Sequence, residues 1–167
     1  IGLTIASPIL LVVTFLVWIQ DFKMPFYIPY RVGVNNKLFK MVKLRSMIVN
    51  ADSSGVDSTG LDDVRITSIG HFIRKFKLDE LTQLFNVLKG DMSLVGPRPC
   101  LLNQKKLITE RKKRNIFTIK PGITGLAQVR GVDMSTPKRL SKIDTEMLKI
   151  NIFDYFKYIL MTLKNNK

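Results

Sequence analysis

Asp79 and Glu80 stand side by side at the head of an apolar pattern, with Arg74 before them and Arg98 after. Leu78, Leu81, Leu84, Phe85 and Leu88 recur at helical spacing, so residues 78–89 are expected to form one helix with a buried face, stopped by Gly90. Both carboxylates then lie in its first turn, where the helix dipole favours ionised acids. An ionised carboxylate among cations suits phosphoryl transfer: it can serve as nucleophile or metal ligand, with positive charge at hand for phosphates. An ordinary helix start decorated with acids has the same pattern.

Two more basic positions could handle phosphate. In Lys43-Leu44-Arg45-Ser46-Met47, an extended backbone points Lys43 and Arg45 to one face, as a phosphate clamp or as a solvated edge. In Gly96-Pro97-Arg98-Pro99 the two prolines stiffen the turn around one guanidinium, preorganised for bidentate phosphate binding or simply a loop arginine. Other chemistries are poorly supplied. One histidine, His71, and one cysteine, Cys100, do not make a zinc site or an internal disulfide. Neither GxGxxG nor GxxxxGK[ST] occurs. The polar stretch 50–63 is expected to be a loop, and its acids lack EF-hand spacing.

The elements that must carry these residues have their own signatures. The chain of 167 residues holds 27 Lys and Arg against 13 acids, a formal net charge of +14. That surface calls for an anionic partner: nucleic acid, anionic lipid or a phosphorylated substrate. Residues 1–19 carry no charge, and their number is near the lower limit for crossing a bilayer, roughly 17–25. The chain begins at Ile1 rather than Met, so the native N-terminus is expected to lie upstream, and no small-residue cleavage site follows the apolar run. Ser7-Pro8 interrupts that run. Proline removes a donor and bends a helix, while Ser7 can bond a freed carbonyl; a kinked span and a re-entrant hairpin are both open. Trp18, Tyr27 and Tyr30 suit headgroup depth. Asn35-Asn36 suggests a small β-hairpin through residues 31–34 and 38–42. Residues 104–114 form a basic helix. Over 138–163, Leu148, Ile152, Tyr155, Phe156, Ile159, Leu160 and Leu163 make an apolar stripe suited to a membrane interface or to core packing.

Taken in order, Ser7-Pro8 in its apolar segment, LFKMVKLRSM, IGHFIRKFKLDELTQLFNVLKGDMSLVGPRP and KPGITGLAQVRG resemble the bacterial sugar transferases, and within them the small monotopic phosphoglycosyl transferases. The resemblance covers nearly the whole chain. It implies a helix-dominated α/β fold, with a re-entrant membrane helix over residues 1–20 and a cytoplasmic catalytic domain over 21–167 that carries interfacial amphipathic helices and the hairpin. It implies transfer of a phosphosugar from a UDP-sugar to polyprenol phosphate, releasing UMP, at the cytoplasmic face of the bacterial inner membrane. Asp79 is then the covalent nucleophile and a ligand of Mg2+, and Glu80 assists proton transfer or acceptor activation. Lys43, Arg45, Arg74 and Arg98 handle phosphates, Ser7 and Pro8 make the re-entrant bend, and anionic lipids are partners. Two departures stand out. Phe76-Lys77 replaces the family's Thr-Ser, which removes a side-chain cap, and Thr82 replaces its proline. The competing class is a membrane-anchored basic module that binds nucleic acid or lipid without catalysis. It lacks any helix-turn-helix, zinc-finger or RNP pattern, so no nucleic-acid partner is expected. Nothing in the pattern specifies the sugar, the glycan pathway or the oligomeric state.

Overall fold

The chain folds into two units, built from residues 1–28 with 42–85 and from 29–41 with 86–167; a computed structural model describes residues 2–51 and 63–164. Most of the polar stretch 50–63, expected to be a loop, lies outside the described residues.

In the first unit, helix α1 (Gly2–Ile19) buries Ala6, Leu10, Val13 and Val17. Spacings of four, three and four put these on one stripe, which packs with Leu44, Ile73, Leu78 and Leu81. The other faces of α1 are equally apolar yet exposed, with Ile5, Leu11, Val12 and Phe15 all open. The helix runs through Pro8 without a break. Proline lacks the N–H that would reach the Thr4 carbonyl, and Ser7 Oγ donates to that carbonyl at 2.8 Å. Thus α1 is no separate layer but part of the first unit's core. Strands β1 (Phe26–Tyr27) and β4 (Lys43–Leu44) pair antiparallel, Tyr27 opposite Lys43. Helix α2 (Ser68–Lys75) starts at Thr67, whose side chain accepts from the Gly70 amide. Only glycine fits at position 70, because a Cβ there would overlap the Ser46 carbonyl.

The single helix expected over 78–89 is instead two short ones, α3 (Leu78–Leu81) and α4 (Leu84–Lys89). The break falls at Thr82 and Gln83, both buried. The Thr82 hydroxyl lies within bonding distance of the Val42 carbonyl at 3.0 Å and the Asp79 carbonyl at 3.1 Å. A tertiary bond thus lies at the break, where apolar spacing alone would continue the helix. Gly90, with φ +87°, ends α4 as expected.

The second unit contains the expected hairpin. Strands β2 (Tyr30–Val32) and β3 (Leu38–Lys40) pair antiparallel, joined by a turn in which Asn35 and Asn36 take left-handed φ. Strands β5 (Ser93–Val95) and β6 (Gly122–Thr124) pair in parallel, with α5 (Lys105–Lys113) in the crossover. Helices α6 (Leu126–Val129), α7 (Pro137–Glu146) and α8 (Ile152–Lys164) follow. One core gathers Cys100, Leu107, Phe117, Ala127 and Leu140. In another, Tyr158 of α8 meets Val95, Leu126 and Met147. The opposite face of α8 leaves Ile152, Phe153, Phe156 and Leu160 exposed, so the helix is apolar on both sides.

Candidate active site

The acidic pair meets a cation within the first unit. Lys43 Nζ lies 3.4 Å from Asp79 Oδ2 and 3.4 Å from Glu80 Oε1. All three side chains are mostly covered, at 16, 13 and 18 % exposure. Three local features bring them together. Pairing with β1 fixes β4, and Leu44 locks it into the core. Thr82 then ties the carbonyl preceding Lys43 to the turn that carries Asp79. The chain enters α3 through Lys77 in the left-handed region, with no side-chain cap, as the loss of the family's serine implies. Thr82, noted in the sequence only as a departure, is a tether here.

Burial pushes the Asp79 carboxyl above the usual carboxylate range. Lys43 pulls it back, Glu80 pushes it further up, and Arg74 pulls it down from a greater distance; burial prevails. Arg74 is held by its Nε donating to Ser46 Oγ at 2.8 Å, a contact made possible by the close approach at Gly70. The sequence does not single out Ser46, because its partner is 28 residues away.

Arg45 is placed differently from Lys43. Its guanidinium is 9 % exposed and donates twice to Asp21, at 2.7 and 2.6 Å. The geometry is a strut between the end of α1 and the segment after β4, with the fork spent on a carboxylate rather than open to a phosphate.

Arg98 belongs to the second unit. Its side chain is exposed between buried Pro97 and Pro99. The backbone around it is tied at four points. Gly96 N donates to the Thr124 carbonyl (2.8 Å), Gly122 N to the Pro97 carbonyl (3.0 Å), Arg111 Nη1 to the Arg98 carbonyl (2.7 Å) and Val32 N to the Cys100 carbonyl (3.1 Å). The stiff turn expected from the prolines is present, and its anchors lie far off in sequence. Cys100 is fully buried and burial raises its thiol pKa, which makes it unreactive. His71 lies exposed on α2.

Adjacent carboxylates suit magnesium, which takes one or two carboxylates and completes its shell with phosphate oxygens and water. Asp79 Oδ2 and Glu80 Oε1 both lie 3.4 Å from the one Lys43 Nζ, so the two carboxylates are close enough to face a shared cation. Among the described residues no cluster of three or more His, Cys, Asp or Glu forms a fuller cage.

A family model described as bacterial sugar transferase matches residues 1–166, so the chain belongs to that family. Among its relatives, a galactosyl transferase, CpsE, of Streptococcus agalactiae is 44 % identical over 147 residues, covering 80 % of this chain and 32 % of the relative. A putative undecaprenyl-phosphate N-acetylgalactosaminyl 1-phosphate transferase of Bacillus subtilis is 44 % identical over 124 residues, 74 % of this chain and 65 % of that one. A UDP-N-acetylgalactosamine-undecaprenyl-phosphate N-acetylgalactosaminephosphotransferase of Aeromonas hydrophila is 33 % identical, covering 98 % of this chain and 40 % of its own length. The chain thus spans between about a third and two thirds of the length of these relatives.

Proposed function

We propose that the chain transfers a sugar 1-phosphate from a UDP-sugar to polyprenol phosphate by way of a covalent intermediate on Asp79. The observation that carries this reading is the mostly covered Lys43–Asp79–Glu80 cluster in a chain of this family; the names of the relatives supply the substrate classes.

In the first half-reaction an Asp79 carboxylate oxygen attacks the phosphorus that bears the sugar. The new O–P bond forms as the bond to the bridging oxygen breaks, and that oxygen leaves on UMP. In the second, an oxygen of polyprenol phosphate attacks the same phosphorus. The bond to Asp79 breaks, restoring the carboxylate and giving polyprenyl-diphosphate-sugar. Two anions must meet in each step. Lys43 and Arg74 offset that repulsion beside Asp79, and Arg98 binds a substrate phosphate from its stiff turn. Asp79 and Glu80 would hold magnesium, which supplies further positive charge against the diphosphate. Glu80 accepts or positions the acceptor's proton.

Covalent catalysis suits a soluble donor and a membrane-bound acceptor, because each can be handled in turn. On this reading α1 enters the bilayer of the bacterial inner membrane and returns by the cytoplasmic face. It is one helix long and apolar enough to cross, with mean hydropathy 2.3, and Ser7 compensates the carbonyl that Pro8 releases. The open apolar face of α8 suits a membrane surface of anionic lipids. The experiment that tests the reaction is UMP release from a panel of UDP-sugars with and without undecaprenyl phosphate. Turnover of one donor that depends on the lipid supports it. No UMP from any donor, in a preparation that binds lipid, sinks it.

A further inference from the structure

The second unit contains an ion pair with no place in the chemistry above. Arg111 on α5 and Asp144 on α7 are 2 and 0 % exposed. Arg111 Nε donates to Asp144 Oδ2 at 2.9 Å, and its Nη2 lies 2.8 Å from the same oxygen without hydrogen-bond alignment. Asp144 Oδ1 and the neighbouring Ser141 Oγ are buried with no hydrogen-bond partner among the described residues. A pair desolvated this far and bonded this incompletely gives little net stability, and apolar residues of similar volume often do as well or better. The pair therefore needs another reason. Arg111 also reaches out of it: Nη1 donates to the Arg98 carbonyl at 2.7 Å. It holds the chain at the peptide between Arg98 and Pro99, while the Arg98 side chain itself is exposed.

We propose that Arg111, aimed by Asp144, is a positioning residue for Arg98: a buried clasp that fixes the backbone of the Gly96–Cys100 turn so that the Arg98 guanidinium meets substrate phosphate in one orientation. The argument is geometric. Neither Pro97 nor Pro99 has an N–H, so beyond the Gly96 amide this turn is held chiefly through its carbonyls. Those of Pro97 and Cys100 are held by backbone amides and that of Arg98 by Arg111. Asp144 occupies the near edge of the guanidinium and so leaves Nη1 directed at the turn. Only a planar fork can serve both at once; a lysine in this place has the charge but not the second arm.

This inference rests on the proposed phosphate role of Arg98, and the test separates the two. Full-length protein in lipid nanodiscs is assayed for UMP release with undecaprenyl phosphate and the UDP-sugar that the panel selects, each substrate varied in turn. The variants are Arg98→Ala, Arg111→Lys, the apolar pair Arg111→Met/Asp144→Leu, and the last two combined with Arg98→Ala. Thermal unfolding reports on the fold. The apolar pair is expected to keep the parent's Tm and yet lose about tenfold in the same kinetic parameter that Arg98→Ala lowers. Arg111→Lys should lose a similar factor there. Adding either to Arg98→Ala should cost less than about twofold more, because a clasp has nothing left to aim. Arg130→Gln, which breaks the exposed pair with Glu146, should be additive with Arg98→Ala. Parent kinetics in a folded apolar pair overturns the clasp. So does a full multiplicative loss on top of Arg98→Ala, which marks general structural damage. If Arg98→Ala itself turns over like the parent, the phosphate role of Arg98 falls and takes the clasp with it, while the Asp79 chemistry stands untouched.

Discussion

On the proposed mechanism Asp79 has to be ionised to attack phosphorus, yet burial raises its carboxyl pKa. The sign of the pH dependence follows. The nucleophile is protonated and silent below its raised pKa, so the rate of UMP release should climb with pH through an apparent pKa above 3.8. Lys43 is the largest influence pulling that pKa down, so Lys43→Met should move the acid limb to higher pH as well as slow the reaction. A limb that stays in place in Lys43→Met contradicts this electrostatic account. Stability runs the other way. A carboxyl with a higher pKa in the folded chain than in the unfolded one costs stability as pH rises through the folded value. Asp79→Asn should therefore abolish turnover, by at least about a thousandfold, while its Tm at pH 7 equals or exceeds the parent's; a lower Tm refutes that part. At this scale the sequence was readable where function rests on residue type, and opaque where it rests on partners. The acidic pair and the prolines around Arg98 stand out in the chain. That Lys43 faces both acids while Arg45, two positions on, is used by Asp21 depends on contacts across 24 to 37 residues. Arg45→Met should accordingly lower the Tm and leave the KM for either substrate at the parent value. A raised KM without loss of Tm would return Arg45 to the phosphate site.

Among the elements, the instructive one is the helix expected over 78–89 that the fold divides at Thr82 and Gln83. Hydrophobic spacing was satisfied either way, because Leu78, Leu81 and Leu84 all pack against the same core as α1. At the division lies a side-chain bond to Val42, 40 residues away, which periodicity does not report. The hairpin and the stop at Gly90 were legible because turn chemistry is local: two asparagines and a glycine accept left-handed backbone. Thr82→Val keeps the shape and removes the hydroxyl, and with it the bond to the Val42 carbonyl. Stability should fall by about 1 kcal/mol, and activity should fall further than that loss accounts for, because the tether aligns Asp79 with Lys43. Urea unfolding alongside UMP release checks both, and unchanged activity would show that the tether is only structural.

For the molecule as a whole, two properties of the sequence point to a membrane surface: a net charge of +14 and apolar faces on α1 and α8 that no described residue covers. Charge was fully legible in composition. The α8 face was legible as a stripe, but the fold divides it: Tyr155 and Ile159 pack inward beside Tyr158, while Ile152, Phe156 and Leu160 face out. Phe153→Ser/Phe156→Ser should leave the Tm unchanged, because both residues are exposed, and lower activity toward undecaprenyl phosphate in nanodiscs. Equal activity contradicts an interfacial α8. The central claim, however, is the covalent bond to Asp79, and one measurement meets it directly. The protein is incubated with the UDP-sugar it turns over, without acceptor, and its intact mass is recorded before peptide mapping. The account predicts a gain of one sugar phosphate, confined to the peptide holding Asp79 and discharged when undecaprenyl phosphate is added. An unmodified mass under conditions where the complete reaction runs, or an adduct on any other residue, contradicts it.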